Sequence, residues 1–396
     1  MKVEGNVVPG FKASAVAAGL KKDKGLDLAL IFSENEAVAA GVFTTNRVKA
    51  APVILSHEHV QDGKVRAIIA NSGNANACTG KEGLDNARLT ADSVASELGI
   101  RPDEVVVAST GVIGAHLNME MITHAIPDLV EKLSPEGIPQ AAEAIMTTDS
   151  FPKISRSEGV AGGKTYGILG IAKGAGMIMP DMATMLCFIL SDIGMDAEDL
   201  RRALRWSVDT TFNRISVDGD TSTNDMVLVM ANGMAGNAQL SSADYEGFQQ
   251  GLTDVMSDLA TMIVRDGEGA TKVVNITVKG AATDLDAITA ARTIANSSLV
   301  KTAFYGQDPN WGRIMAALGR SGILMREEDV NIWIGDIKIV EGGLGRGIDK
   351  EMKAAEIMRK KEFNVTIDLR QGSYEDRMTT CDLTHDYITI NADYRT

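Results

Sequence analysis

The chain has 396 residues, with 39 lysine and arginine residues against 53 aspartate and glutamate residues and a net charge of −14. Its length predicts two or three domain-sized units, with a core large enough to fold without disulfide staples. The composition, 44% hydrophobic and 23% charged, excludes a disordered or fibrous chain, and no basic excess is present to neutralise the phosphates of a nucleic-acid partner.

The first half of the chain alternates apolar runs with segments of helical spacing. A glycine-rich turn separates two of the predicted strands, and Asp196 is expected to cap a helix that runs to about residue 213. Strands are predicted at 26–32, 51–55, 67–70, 105–108, 165–172 and 184–191, and helices at 84–98 and 118–132.

The second half continues the same alternation. The pattern predicts a mixed α and β fold in which helices cover the sheets. No long proline- or serine-rich linker interrupts it, so composition places no domain boundary. Strands are predicted at 227–230, 273–278, 331–334, 364–369 and 387–391, and helices at 242–264, 284–296, 309–318 and 349–360.

The ends of the chain and its cysteines indicate a cytoplasmic protein. The first 25 residues contain no continuous apolar segment of the kind that a signal peptide needs. The longest apolar run, 185–190, is far shorter than the roughly 20 residues of a membrane-spanning helix. Three widely spaced cysteines form neither a disulfide framework nor a metal pattern.

Several segments imitate known binding motifs. The segment 162–165, Gly-Gly-Lys-Thr, looks like the end of a phosphate loop, but the first glycine of that motif would have to replace Glu158. We therefore predict no nucleotide site. The turn 218–220 lacks the later residues of a calcium loop, and His57 and His59 have no other histidine close in sequence, so we predict no metal site.

The stretch 173–192 places a hydroxyl residue in an unusual position. A glycine turn leads through Pro180 to Ala183 and Thr184, and an apolar strand follows at once. From the residues alone, Thr184 fits the first residue of a strand better than a nucleophile. It gains a base of its own only if the bond between Ala183 and Thr184 is cut, because the freed α-amine has a pKa of about 8.

The segment KGAGMIMPDMATML within this stretch resembles the signature of the ornithine acetyltransferase family, the bifunctional glutamate N-acetyltransferases and amino-acid acetyltransferases of arginine biosynthesis. The resemblance covers essentially the whole chain, because further segments match the family in its order. These are NSGNANACTG (71–80), STGVIG (109–114), MTTDSFPK (146–153), SVDGDTSTND (216–225), RDGEGATK (265–272), GQDPNWGRI (306–314) and INADYRT (390–396).

The resemblance implies a precursor that cuts itself between Ala183 and Thr184. The α fragment 1–183 and the β fragment 184–396 would stay together, with two copies of each in the assembly. The implied fold class is α/β (α+β): a layered α-β-β-α sandwich similar to that of N-terminal-nucleophile hydrolases but with different connectivity, plus a smaller C-terminal α/β lobe.

The resemblance also implies the reaction. Thr184 would take the acetyl group from N2-acetyl-L-ornithine and pass it to L-glutamate, with no cofactor, while Thr110 and Gly111 form the oxyanion hole. Lys173 suits a substrate carboxylate and Glu268 suits an ammonium group. Some members of the family also use acetyl-CoA as a donor, and the sequence does not separate the two kinds. The implied substrate contacts are Thr147, Lys173, Thr184, Glu268, Asn391 and Thr396.

Two other functions stay open from the sequence. A related self-processing aminopeptidase or amidohydrolase would share the architecture, although that group typically uses serine as its nucleophile. A non-catalytic binding protein would remain one intact chain. The chain also has 39 glycines, many of them inside the motifs above, and we predict that these tight turns converge around Thr184.

Overall fold

The computed structural model describes residues 5–22, 24–179 and 185–392. The chain folds into two compact units, one formed by Met1–Asn213 with Asp220–Ile263 and the other by Arg214–Gly219 with Val264–Thr396. The predicted cut between residues 183 and 184 falls inside the first unit. The prediction says which peptide bond is cut and not where a compact unit ends, so the division into units does not test it.

The described residues form strands and helices in alternation, with a few single turns of 3₁₀ helix between them. The strands are β1 Phe11–Val16, β2 Leu28–Phe43, β3 Lys64–Asn71, β4 Val105–Ser109, β5 Lys153–Ala161, β6 Lys164–Lys173, β7 Leu186–Ser191, β8 Ile215–Ser216, β9 Met226–Ala231, β10 Val273–Ala281, β11 Asn331–Ile334, β12 Ile337–Glu341, β13 Leu344–Gly345, β14 Glu362–Asp368 and β15 Tyr374–Cys381. The helices are α1 Ala51–His59, α2 Gly80–Leu98, α3 Met119–Glu131, α4 Ile138–Ala144, α5 Ala197–Thr210, α6 Ser242–Arg265, α7 Asp284–Ala295, α8 Ser298–Tyr305, α9 Trp311–Gly319, α10 Ile348–Met358 and α11 His385–Ala392.

The sheet of the first unit has the strand order β4-β3-β2-β9-β7-β6-β5. β2 is long enough to pair with β1 along its first part and with β9 along its last part, on the edge opposite β3. Parallel pairs (β3 with β4, β7 with β9) stand beside antiparallel ones. β7 therefore lies inside the sheet, between β9 and β6.

Both faces of this sheet are buried. Along β3, Ile68 and Ala70 belong to the hydrophobic cluster on one face, and Ala67 and Ile69 belong to the cluster on the other. Because successive strand residues point to opposite faces, a strand buried on both sides reads as a continuous apolar run. The short apolar runs in the sequence are therefore typical of strands that are buried on both faces.

The second unit is built on a sheet of order β13-β12-β11-β14-β10-β15-β8. Its central strands β10 and β14 are parallel, and the flanking pairs β10–β15 and β11–β14 are antiparallel. Residues from α7, α9 and α10 pack in one hydrophobic cluster with these strands. The mixed α and β class and the cover of helices are confirmed.

Two predicted strands are helices. The segment 51–55 opens α1, where Pro52 occupies the first turn, a position at which the missing N–H of proline costs nothing. The segment 387–391 lies in α11, and Asn391 Nδ2 donates to the carbonyl oxygen of Tyr387 one turn earlier. In both, β-branched residues suggested a strand, but a five-residue preference is weak against tertiary packing.

The sequence also underestimated β2, which was predicted to end near residue 32. The exposed residues 34–36 interrupt the apolar pattern, and the pairing with β3 shifts register between Phe32 and Ala37. Among the residues that the structure describes, no helix is both long and apolar enough to cross a membrane.

Candidate active site

Thr110 and Gly111 follow β4 directly. The Thr110 amide donates to the carbonyl oxygen of Asn71 at the end of β3 (2.9 Å). Gly111 has a φ of +133°, and a Cβ there would stand 2.3 Å from the carbonyl carbon of Gly73. Only glycine fits this close approach of two backbones, so the two predicted glycine turns meet here.

Lys173, the last residue of β6, connects a third motif to this turn. Its side chain is buried, and Nζ donates to Thr110 Oγ1 (3.1 Å). Since an ammonium group has only donors, the threonine oxygen must accept, which leaves the hydroxyl hydrogen to donate elsewhere. A hydroxyl donor beside a buried positive charge can stabilise a negative oxygen that develops during a reaction.

Asp149 holds the surroundings of Lys173 together. Its Oδ1 accepts from Lys153 Nζ (2.7 Å) and from the amide of Gly174 (2.6 Å), and its Oδ2 accepts from the amide of Thr147 (3.0 Å). One carboxylate thus fixes the backbone on both sides, at the predicted substrate contact Thr147 and immediately after Lys173.

Two lysines and one aspartate are buried together in this cluster. Burial acts to raise the pKa of the Asp149 carboxyl, but the ammonium groups of Lys173 and Lys153 outweigh burial and hold that pKa below its ordinary value. Asp149 is therefore ionised at neutral pH. Buried ammonium groups are chemically suited to an anionic ligand such as a carboxylate.

Asn224 joins two further motifs. Its Nδ2 donates to the carbonyl oxygens of Ala75 (2.6 Å) and Ser109 (2.8 Å), while the Ser109 hydroxyl donates to Asn71 Oδ1 (2.6 Å). The sequence pattern alone did not indicate Asn224, Asn71, Asp149 or Lys153 as site residues. The available signal was their place inside the family motifs, as polar residues beside apolar strands.

The next residue, Asp225, binds the start of β7. Its Oδ1 accepts from the amide of Met185 (3.0 Å), and the carbonyl oxygen of Met185 accepts from the amide of Met226 (3.0 Å). Met185 directly follows Thr184 in the sequence. Asp225 lies in the segment 216–225 that resembles the family, but the sequence pattern did not predict this contact.

Within the second unit, Glu268 and Asn391 are brought together. Asn391 Nδ2 donates to Glu268 Oε2 (2.7 Å), and the Glu268 side chain is largely buried. The adjacent Gly269 has a φ of +68°, and a Cβ there would lie 2.6 Å from the amide of Tyr387. The loop after α6 is thus packed against the start of α11, and two predicted substrate contacts form one hydrogen-bonded pair.

Three predicted residues, Ala183, Thr184 and Thr396, lie outside the described residues. Of the others, Thr110, Gly111, Thr147 and Lys173 gather around Asp149 and β6 in the first unit, and Glu268 and Asn391 pair in the second. The predicted convergence of glycine turns holds for Gly73 with Gly111. That these glycine turns surround Thr184 stays a prediction.

The segment that imitates a phosphate loop is a hairpin turn. Gly162 and Gly163, with φ of +55° and +74°, form the two-residue connection between β5 and β6. Two positive φ values in a two-residue loop match the twist of paired strands, which explains the glycine pair without a ligand. In the part of the chain that is described, no group of three or more histidine, cysteine, aspartate or glutamate residues could hold a metal ion.

Comparisons with known proteins give one consistent result. The family model described as the ArgJ family matches residues 12–396. The chain is 53% identical over 392 residues to the arginine biosynthesis bifunctional protein ArgJ of Geobacter sulfurreducens, covering 98% of this chain and 100% of that protein. It is 48% identical over 399 residues to the glutamate N-acetyltransferase of Methanocaldococcus jannaschii, covering 98% and 97%. A crystal structure of the arginine biosynthesis bifunctional protein ArgJ of Bacillus halodurans is 43% identical, with a TM-score of 0.50, and covers 52% of this chain and 97% of that one.

Proposed function

Because the chain belongs to the ArgJ family and is an acyltransferase, we propose that it transfers the acetyl group of N2-acetyl-L-ornithine to L-glutamate. The observation that carries this proposal is the family match over residues 12–396, which contains every motif named above. The site geometry supports it, because Lys173, Thr110 and Asp149 join three of those motifs in one buried cluster.

We propose that the enzyme first cuts itself. The Thr184 hydroxyl attacks the carbonyl carbon of Ala183, the amide nitrogen of Thr184 leaves as an amine, and water hydrolyses the resulting ester. The products are the fragment 1–183 and the fragment 184–396, whose first residue carries both a hydroxyl and a free α-amine. The solved ArgJ chain supports this step. The structural match spans 97% of that chain but 52% of this one, as expected if the solved chain is a fragment of about half the length.

The transfer then proceeds in two steps through an ester. The Thr184 hydroxyl attacks the acetyl carbonyl of N2-acetylornithine and gives its proton to its own α-amine, which passes it to the leaving nitrogen of ornithine. The amine of glutamate then attacks the acetyl ester, and the Thr184 oxygen regains a proton as N-acetylglutamate leaves. Dividing one difficult transfer into two is the general advantage of covalent catalysis.

The described residues have distinct tasks in this scheme. The Thr110 hydroxyl and the Gly111 amide stabilise the oxyanion of each tetrahedral intermediate, a role in which losing one donor typically costs about 2.7–4 kcal/mol. Lys173 attracts the substrate carboxylate, and Glu268 pairs with an ammonium group while Asn391 orients it. The proposed substrate contacts are Thr147, Lys173, Thr184, Glu268, Asn391 and Thr396.

The deciding experiment combines a denaturing gel with an acetyl-transfer assay. We expect two fragments from the wild type and one intact band from Thr184→Ala. Without glutamate, ornithine release should stop at about one equivalent per active site, and continuous release should need glutamate. Acetate release without glutamate would instead identify a hydrolase, and an intact, inactive wild-type chain would leave a binding protein. The same assay with acetyl-CoA as the donor determines whether the enzyme is bifunctional.

A further inference from the structure

Asp225 combines deep burial with incomplete hydrogen bonding. Its side chain, at the start of β9, is only 1% exposed. Oδ1 accepts from Met185, but Oδ2 is buried and has no hydrogen-bond partner among the residues that the structure describes. The nearby Thr44 hydroxyl donates to the Ser222 carbonyl oxygen (2.8 Å). A carboxylate with an unpaired, dehydrated oxygen is strongly unfavourable, whereas a neutral carboxyl group tolerates such a place.

The charges around Asp225 agree with a neutral acid. Burial raises the pKa of Asp225 well above its ordinary value, and the amide of Met185, the nearby hydroxyls of Ser222 and Thr44 and the charge of Lys173 oppose this only in part. Lys173, whose charge acts on Asp225, is already beside the ionised Asp149.

The hydrogen bond from Met185 gives this acid a position in the reaction. An amide nitrogen and the carbonyl carbon before it belong to one planar group, so holding the N–H of Met185 restrains the peptide that joins Thr184 to β7. The carbonyl oxygen of Met185 is held by Met226. Hydrogen bonds to both backbone groups of a residue beside a nucleophile help to hold the nucleophile in the precise position that catalysis requires.

We propose that Asp225 is a positioning residue for Thr184 that works as an uncharged carboxylic acid and holds the amide of Met185. The inference rests on the proposed role of Thr184 as nucleophile. It assigns Asp225 no contact with substrate. Its effect is on the rate of self-cleavage and on kcat, and only weakly on KM.

Three variants test the positioning role in the full-length protein. Asp225→Ala removes the acceptor for Met185 and should slow self-cleavage and lower kcat by roughly 10- to 100-fold, with KM changed little. Asp225→Asn keeps an uncharged acceptor of the same shape and should recover both rates to within about threefold of the wild type. Asp192→Ala is the matched control for Asp225→Ala, because the buried Asp192 accepts from the amide of Gly167 (2.7 Å) at the other end of β7.

The outcomes separate positioning from simple stabilisation. If Asp225→Ala only lowers the melting temperature while its kcat and cleavage rate stay at wild-type values, the positioning role is wrong. If a folded Asp225→Asn is as inactive as the alanine variant, the uncharged form is not the working form. If Asp192→Ala loses as much activity as Asp225→Ala, the effect belongs to β7 as a whole and not to the contact beside Thr184.

A second measurement tests the charge of Asp225 through the pH dependence of stability and needs no enzyme assay. A folded-state pKa above the unfolded value of about 3.9 gives stability that is complete below that pH and is lost as the pH rises through the folded-state pKa. Asp225→Asn removes this loss, so its stability relative to the wild type should increase as the pH rises above about 4. A constant or falling difference would overturn the neutral acid. An uncleaved, inactive wild type would refute the proposed function, but the pH dependence of stability would still show whether Asp225 is uncharged.

Discussion

At the scale of single residues, the buried ion pair between Lys153 and Asp149 distinguishes this site. Neither side chain is exposed, and Nζ lies 2.7 Å from Oδ1. The sequence indicated Thr110 and Lys173 through the family motifs, but it did not indicate Asp149 or Lys153. Four residues apart, an aspartate and a lysine look like an exposed pair, and only the fold shows that both are enclosed.

Lys153→Met tests the energetic role of this pair. The substitution keeps a long side chain but leaves the Asp149 charge buried without Lys153, and breaking such a pair typically costs about 3–5 kcal/mol. Urea unfolding should show a loss of this size. Lys132→Met is the matched control, because Lys132 and Asp128 have the same spacing at 3.4 Å but are both exposed, and its stability should not change measurably. Equal stabilities of the two variants would contradict the prediction.

At the scale of elements, the positions of strands were predicted best where a buried apolar run is compatible with only one kind of element. β6 and β7 have buried, mainly apolar interiors, and polar residues stand at or beside their ends, so their positions followed from the sequence. α11 was mistaken for a strand because its position depends on a contact with a distant segment, the loop that carries Glu268. Local preference contains no information on such a contact, and so the pairing of Glu268 with Asn391 could be expected from the family resemblance but not from the pattern.

Removal of the final seven residues tests α11 as a functional element. Truncation after Thr389 deletes Asn391, and we expect acetyl transfer to be abolished while the protein stays folded, because no residue of α11 is buried. Circular dichroism and the transfer assay measure the two effects. Removing only 393–396 retains the Asn391–Glu268 pair and so separates its contribution from that of Thr396. Full activity after the longer truncation would exclude a role for this end of the chain.

At the scale of the whole molecule, the sheet of the first unit explains how a cut chain can remain one enzyme. Strands β2 and β6 belong to the proposed fragment 1–183, and β7 and β9 belong to 184–396. β6 pairs with β7 over six residue pairs, and β2 pairs with β9 over another six. The two fragments therefore share one sheet and one hydrophobic core, and cutting between residues 183 and 184 breaks none of these pairs.

This arrangement predicts that the fragments cannot separate without unfolding. In gel filtration, both should elute together and divide only in denaturant, and the uncut Thr184→Ala should elute at the same volume. Expressed alone, 184–396 would expose β7 and β9 along the edges that β6 and β2 cover, and unpaired apolar edges promote aggregation. We expect that fragment to be insoluble and to become soluble when 1–183 is co-expressed. A soluble, folded 184–396 would show that the shared sheet is not what holds the halves together.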